Sequence, residues 1–156
     1  MDNFRVLKAR EEDWEEAMGL AFRTFRKYVE PDYPKEGADN FIDFISDPHL
    51  FNMFRIGEYH LWVARDDEED EIIGMGSIRS GNHISLLFVD EKWHKKGVGK
   101  QIMKKMEDFV REGGRDKITV NASPYGIPFY HRIGFEDTSG QILSGGMYIT
   151  PMEKRV

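Results

Sequence analysis

The chain has 156 residues, no cysteine, and 22 Lys and Arg against 28 Asp and Glu, which gives a net charge of −6. That length fits a single domain over residues 1–156, and the acidic balance argues against broad nucleic-acid binding, which needs a basic surface. The absence of cysteine excludes disulfides and thiolate catalysis and weakens any zinc site. No apolar run is long enough to span a bilayer, and the first ten residues hold no secretory signal. We therefore expect a cytoplasmic protein with no membrane or nucleic-acid partner.

The N-terminal part of the sequence predicts one strand and two helices. Phe4 to Ala9 alternates as a strand does, and an apolar stripe with helical spacing runs from Trp14 to Tyr28. Asp13 and Glu16 predict a capping box at the start of this helix, and the prolines that follow it predict its end. A shorter apolar pattern, Phe41 to Ile45, predicts a second helix that ends at the next proline.

Three strands are predicted next, and they form an antiparallel meander. They are His60 to Arg65, Ile72 to Ile78 and His83 to Val89. The acidic run Asp66 to Glu71 joins the first two. It lacks the glycine and the spacing of a calcium loop, so we interpret it as a solvated hairpin loop.

The C-terminal half predicts a helix, a short parallel strand and a return into the sheet. The helix follows Gly99, buries a face from Ile102 to Val110 and ends at Gly113-Gly114. Because a strand, a helix and a strand follow one another here, the two strands should be parallel, with a ligand site at their carboxyl ends. The remaining elements are strand Lys117 to Val120, helix Ile127 to Ile133 and strand Met147 to Met152.

The stretch "HKKGVGK", from His94 to Lys100, places two alternate glycines just before a helix. It is not a Rossmann fingerprint, since Ile102 stands where a third glycine belongs, and it is not a Walker A loop, since Gln101 follows Gly-Lys. It suits a helix N-terminus that binds pyrophosphate through backbone amides and lysines. The glycines equally suit a tight turn flanked by solvated lysines, and this stretch alone leaves both interpretations open.

Two motifs together resemble the GNAT N-acetyltransferase superfamily. The first is His94-Lys95-Lys96-Gly97-Val98-Gly99, which is similar to the family's cofactor loop, although the family usually has Gln or Arg at the position of His94. The second is "FYHRIGF", Phe129 to Phe135, which resembles the family's aromatic-Tyr helix ending in Gly-Phe. The resemblance implies an α/β fold: a single domain with a mixed, mostly antiparallel sheet flanked by helices, whose fourth and fifth strands splay to form a cofactor cleft.

The resemblance also implies which residues bind acetyl-CoA as the acyl-donor cosubstrate. The pantetheine arm would pair with the main chain of Leu87, Phe88 and Val89. The pyrophosphate would lie on the amides from Lys95 to Lys100, with a contact from His94 whose charge varies near neutral pH. Asn121 would contact the cofactor arm or orient the tyrosine helix, or would simply cap the end of its strand.

In the family, a tyrosine at the position of Tyr130 acts as the general acid toward the leaving thiolate. A phenol with a pKa near 10 is protonated at neutral pH, as this role requires. The alternative is a tyrosine that serves packing only, with Tyr125 as the donor instead. For the general base the resemblance names no residue, and His83 and Glu58 are candidates, although a histidine at a turn is usually a surface residue.

These observations predict an acetyl-CoA-dependent N-acetyltransferase that transfers the acetyl group directly to a primary amine of a small molecule or peptide. The alternatives are a non-catalytic CoA-binding regulatory module and an enzyme for a longer acyl-CoA. The segment from Tyr28 to Asn40 should build the acceptor pocket, where acids among aromatics would suit a cationic amine, unless they form only a solvated loop. No metal is predicted, and a homodimer is one possible assembly.

Overall fold

The computed structural model describes residues 3–156. Its first part contains four strands and three helices, and the second part adds four strands and two helices. The first part comprises β1 (Phe4–Lys8), α1 (Trp14–Thr24), α2 (Lys35–Ser46), α3 (Pro48–Arg55), β2 (Tyr59–Asp66), β3 (Ile72–Arg79) and β4 (His83–Val89). The second comprises α4 (Val98–Glu112), β5 (Lys117–Ala122), α5 (Ile127–Arg132), β6 (Glu136–Asp137), β7 (Ile142–Ser144) and β8 (Met147–Arg155). Among residues 3–156, no helix combines the length and apolar character of a membrane span.

The strands form one sheet in the order β1-β2-β3-β4-β5-β8-β6, with β7 paired to β8. All neighbouring pairs are antiparallel except β4 and β5, which are parallel. The pairing of β4 with β5 covers only His83 with Thr119 and Ile84 with Val120, after which the strands diverge. This confirms the predicted α/β fold, with its mixed sheet and its splayed fourth and fifth strands.

Helices cover both faces of the sheet, because the strands alternate apolar side chains between two cores. Helices α1, α2 and α3 pack on the face that carries Leu61, Val63 and Met75. Helices α4 and α5 pack on the other face, which carries Trp62 and Ala64. Helix α4 lies so close to β3 that a Cβ atom at Gly74 would stand 2.8 Å from Val98. Glycine in a strand here marks the close approach of a helix.

The start of α1 differs from the predicted capping box. Asp13 makes no side-chain cap to the helix. Instead, its carboxylate accepts a hydrogen bond from the Arg10 amide at 2.8 Å and pairs with Arg65 at 2.5 Å. Glu16 accepts from the Ile72 amide at 2.8 Å. The prediction was wrong because both acids serve contacts with β2 and β3, which local spacing does not reveal.

The helix predicted from Trp14 to Tyr28 is observed as α1 and a π-helical turn, Phe25–Val29, that continues it. Other predictions differ from the structure: α3 was missed because Pro48 marks both the end of α2 and the start of α3. The Asp47 carboxylate caps α3 by accepting from the His49 amide at 2.9 Å. Strand β5 extends to Ala122, so Asn121 lies inside the strand, paired with Pro151, and not just past its end.

Candidate active site

The divergence of β4 from β5 opens a cleft of about 1690 Å³ that reaches from the α4 side of the sheet to the α1–α2 side. Leu87, Phe88 and Val89 line it on β4. Their strand is paired with β3 on one edge, while β5 has turned away from the other edge. The unpaired edge of β4 therefore offers backbone donors and acceptors to an extended ligand.

The loop between β4 and α4 leads into the cleft through two residues with left-handed backbone. Lys95 has φ +63° and Gly97 has φ +85°. Gly97 is the N-cap of α4 and leaves the first turn of the helix without a side-chain cap. The first-turn amides of Val98, Gly99 and Lys100 have no intrahelical acceptor. These residues line the cleft, so the helix N-terminus can hold an anion there.

Each glycine of the loop has its own structural cause. Gly97 adopts a backbone conformation that other residues rarely adopt, with open space around its missing Cβ. At Gly99, a Cβ would stand 3.2 Å from the ring of Phe129 on α5. Gly97 thus permits the turn, and Gly99 permits close packing of α4 against α5.

The half of the cleft beside α4 is lined by cations. The sequence predicted Lys95 and Lys100 here, while the Lys96 ammonium instead lies 5.3 Å from the centre of the Trp93 ring. Sequence reasoning missed Lys104, which the i, i+4 spacing from Lys100 could have revealed. It also missed Arg132 on α5, for which no local signal exists. Both line the cleft.

His94 is held by backbone and by an aromatic ring. Its Nε2 donates to the Val89 carbonyl at 2.9 Å, and its ring lies 5.3 Å from that of Tyr28. In this tautomer the neutral ring has only an acceptor at Nδ1. His94 can donate to a phosphate only as the imidazolium. In the structure its hydrogen bond holds the carboxyl end of β4 at Val89.

Tyr130 lies on α5 with 7% of its surface exposed and lines the cleft. Its ring packs edge-on against Phe129 and Phe135, with centroid distances of 5.4 and 5.2 Å. No residue in the described range 3–156 hydrogen-bonds its hydroxyl, and no fully buried polar side-chain atom in that range lacks a partner. The oxygen is therefore open to the cleft. Burial raises the pKa of Tyr130 far above its usual value, which keeps the phenol protonated.

His83 begins β4 and also lines the cleft. Its Nδ1 lies 2.8 Å from the Thr119 hydroxyl, and if Nδ1 carries the proton, Nε2 is left as an acceptor. Burial, followed by the charge of Arg79, lowers the pKa of His83 to about 4. The ring is therefore neutral across the physiological range.

Of three other residues predicted as candidates, two line the cleft and one does not. Asn121 lines the cleft from β5. Tyr125 also lines it, is 44% exposed and stacks on Tyr28 with centroids 4.9 Å apart. Glu58 precedes β2, which β3 and β4 separate from β5, and it lies outside the cleft lining.

The acidic residues between Tyr28 and Asn40 do not face the cleft. Val29, Tyr33 and Asn40 line it from this segment. Glu30 pairs with Arg26 at 3.6 Å, and Asp39 pairs with Lys35 at 3.6 Å, each on the outside of its helix. The acids form a solvated surface, which was the alternative interpretation, and not an acidic acceptor pocket, because the helical phase turns these carboxylates outward. Within residues 3–156, no cluster of His, Cys, Asp and Glu is arranged to hold a metal.

Comparison with known proteins agrees with this geometry. Residues 29–156 match the family model described as "Acetyltransferase (GNAT) domain". Among solved structures, a GCN5-related N-acetyltransferase from Rhodopseudomonas palustris is 18% identical with a TM-score of 0.83, over 100% of this chain and 98% of that one. The PaiA N-acetyltransferase of Thermoplasma acidophilum, in complex with coenzyme A, is 18% identical with a TM-score of 0.77 over 99% of both chains.

An aminoglycoside 6'-N-acetyltransferase complexed with coenzyme A is 13% identical with a TM-score of 0.65, over 97% of this chain and 96% of that one. At these identities the structural likeness concerns the fold, while the family model matches most of the sequence itself. Because that match covers the cofactor loop, the cleft and the tyrosine helix, the chain belongs to the GNAT acetyltransferase family.

Proposed function

We propose that this acetyltransferase moves the acetyl group of acetyl-CoA directly to a primary amine of a small molecule or peptide. Acetyl-CoA is the cosubstrate, in keeping with the family. One observation supports the proposal above others: the Tyr130 ring is buried, while its hydroxyl has no partner among residues 3–156 and opens into the cleft between β4 and β5. A packing tyrosine would not need an open, unpartnered hydroxyl.

The cofactor would be held by backbone more than by side chains. The pantetheine arm pairs with the free edge of β4 at Leu87, Phe88 and Val89, beside Asn121. The pyrophosphate lies on the amides between Lys95 and Lys100. The cations that line this half of the cleft add attraction for its phosphates: Lys95, Lys100, Lys104 and Arg132.

In the reaction, the neutral amine attacks the thioester carbonyl, a C–N bond forms, and the C–S bond then breaks. Tyr130 gives its phenolic proton to the leaving thiolate sulfur. The amine proton passes to Nε2 of His83 in the tautomer whose Nδ1–H donates to the Thr119 hydroxyl. No acyl-enzyme is formed, since the chain has no cysteine and no other nucleophile is needed. Because the pKa of His83 is about 4, the rate profile should lack the acid limb near pH 6.5 that an unperturbed histidine would give.

A CoA-binding module without turnover is the second candidate. It is favoured by the hydrogen bond from His94 to the Val89 carbonyl, which engages the side chain that stands where the family has its Gln or Arg. Such a module would still bind CoA in the cleft. It would not need a donor at Tyr130.

The test is acetyl-CoA consumption, measured as free-thiol release across polyamines, amino acids, aminoglycosides and peptide N-termini. Thermal stability is recorded in parallel with and without CoA. Release with one amine class supports the transferase and names its acceptor. Stabilisation by CoA without release from any amine supports the binding module. If CoA neither stabilises the protein nor is released, the cofactor assignment of the cleft is wrong.

A further inference from the structure

The half of the cleft on the α1–α2 side has aromatic walls. Phe25, which follows α1, stacks on Phe41 of α2 with centroids 3.8 Å apart, and Phe41 meets Phe88 of β4 edge-on at 5.9 Å. Tyr33 lies 5.9 Å from Phe25, and burial raises the pKa of Tyr33 to about 12, so that its hydroxyl remains neutral. All four side chains line the cleft. Tyr33 and Phe88 are half-buried and form its accessible wall, while Phe25 and Phe41, 1% and 8% exposed, pack behind them. An apolar or aromatic body fits such walls.

This half contains no acidic side chain from residues 3–156. The one carboxylate among the described cleft-lining residues is Glu107 of α4, on the other face of the sheet, where it pairs with Lys154 at 3.0 Å. A polycationic acceptor would lose hydration here without gaining ion pairs. Polyamines and aminoglycosides are therefore poor matches for this pocket.

The pocket has a cation at its far end instead. Arg79 ends β3, and its backbone pairs with Tyr59 on one side and His83 on the other, so all three side chains share the face covered by α1–α3. Arg79 is exposed, lines the cleft and makes no ion pair with any carboxylate of residues 3–156. A guanidinium in that state is a ready partner for a ligand carboxylate.

We infer that the acceptor is an aromatic amino carboxylate, such as an aromatic amino acid, whose ring lies against the wall formed by Tyr33, Phe41 and Phe88 and whose carboxylate meets Arg79. This inference rests on the proposed acetyl transfer. The pocket also favours the reactive form of the amine. Apolar walls disfavour an ammonium ion, so the amine loses its proton more readily and a weakly basic group such as His83 suffices as acceptor.

Three amines test the inference: L-phenylalanine, 2-phenylethylamine, which lacks the carboxylate, and spermidine. We expect kcat/KM to fall in that order. Arg79→Gln should raise KM for L-phenylalanine about tenfold, in line with the loss of a charged hydrogen bond, and leave KM for 2-phenylethylamine unchanged. Lys105→Gln, at an exposed position of α4 outside the cleft lining, is the matched control and should change neither value.

Calorimetric titration of L-phenylalanine into the CoA-loaded protein gives a reading that needs no turnover. One outcome is that the parent protein binds L-phenylalanine more tightly than Arg79→Gln does and yet acetylates no amine. That result would support the pocket assignment and reject the proposed acetyl transfer. Preferred turnover of spermidine, or an equal effect of Arg79→Gln on KM for both aromatic amines, would overturn the inference while acetyl transfer stands. If aromatic amines are neither bound nor acetylated, the proposed acceptor class is wrong.

Discussion

The Tyr130 side chain combines a ring fixed by packing with a hydroxyl that no residue in 3–156 engages. In Tyr130→Phe the ring keeps its contacts with Phe129 and Phe135, so CoA affinity and the free energy of unfolding should change little. Loss of the proton donor should lower kcat by about 10- to 1000-fold. Steady-state kinetics and a urea titration of the same protein sample measure both effects.

Tyr125→Phe is the matched control, because Tyr125 lines the same cleft but stacks on Tyr28 and is 44% exposed. It should retain kcat. If the loss of turnover followed Tyr125→Phe and spared Tyr130→Phe, the general acid would be Tyr125 and Tyr130 would be a packing residue.

His83 should make folding stability depend on pH. Its folded pKa of about 4 lies below the unfolded value of about 6.5, because burial and Arg79 disfavour the imidazolium. Between these values the unfolded chain binds more protons, so stability rises with pH from about 4 to about 6.5 and is fully present above that range. His83→Gln should flatten this rise, as measured by urea unfolding at pH 5 and pH 7.

The exposed His49 provides the comparison for this measurement. His49→Gln should leave the difference between pH 5 and pH 7 as in the parent protein. An undiminished difference in His83→Gln would mean that other groups cause the pH dependence and that the His83 ring is solvated.

At the scale of elements, contact between α2 and the turn before β8 shapes the acceptor half of the cleft. A Cβ at Gly37 would stand 2.2 Å from the Gly146 carbonyl oxygen, and Asn40 donates to the Gly145 carbonyl at 2.7 Å. Because both partners at Gly37 are backbone, a side chain there cannot be accommodated by a rotamer change. The close backbone contact of Gly37 with Gly146 therefore determines the position of α2 and of its aromatic side chains.

Gly37→Ala should destabilise the protein although it improves helix propensity. Alanine in a helix gains about 1 kcal/mol over glycine, but forced overpacking costs about 1–3 kcal/mol, and the backbone contact leaves no cheaper relief. Gly19→Ala in α1, where nothing lies within 4 Å of the added Cβ, should be stabilising. Urea unfolding measures the change in the free energy of unfolding for both variants, which should be a decrease for Gly37→Ala and an increase for Gly19→Ala. A stabilised Gly37→Ala would show that α2 moves freely against the turn.

Elements with strong local signals were predicted well. Strand β4 was predicted as His83 to Val89 and observed with those limits, and α4 ends before Gly113-Gly114 as expected. Strand β7 was missed because its three residues have no strand pattern apart from their pairing with β8. Such elements depend on partners that are distant in sequence, which periodicity does not report.

The residues of the candidate site also divide into those with a local sequence signal and those without one. The cofactor loop and Tyr130 could be named because each lies in a contiguous motif. Arg79 and the outward direction of Glu30 could not, because sheet register places the first at the cleft and helical phase turns the second away from it. Residues whose roles depend on tertiary placement carried no signal in the sequence.

For the molecule as a whole, the net charge and the charge of the site have opposite signs. The chain carries −6, yet the α4 half of the cleft is lined by Lys95, Lys100, Lys104 and Arg132. Screening limits exposed charges to about 8–10 Å at ordinary salt. The local cations, and not the net charge, should therefore govern attraction of the polyanionic CoA.

Coenzyme A should raise the unfolding temperature, since a ligand that binds only the folded state stabilises it by RT ln(1 + L/Kd), where L is the free ligand concentration. The CoA Kd should weaken as NaCl rises from 50 to 500 mM, while pantetheine, which lacks the phosphates, should bind with little salt dependence. Joint substitution of Lys100→Gln and Lys104→Gln should reduce the salt dependence of CoA binding, and Lys105→Gln should not. Calorimetry at both salt concentrations measures these values. Equal salt dependence for CoA and pantetheine would place the phosphates outside this cationic half, because only the phosphates distinguish the two ligands electrostatically.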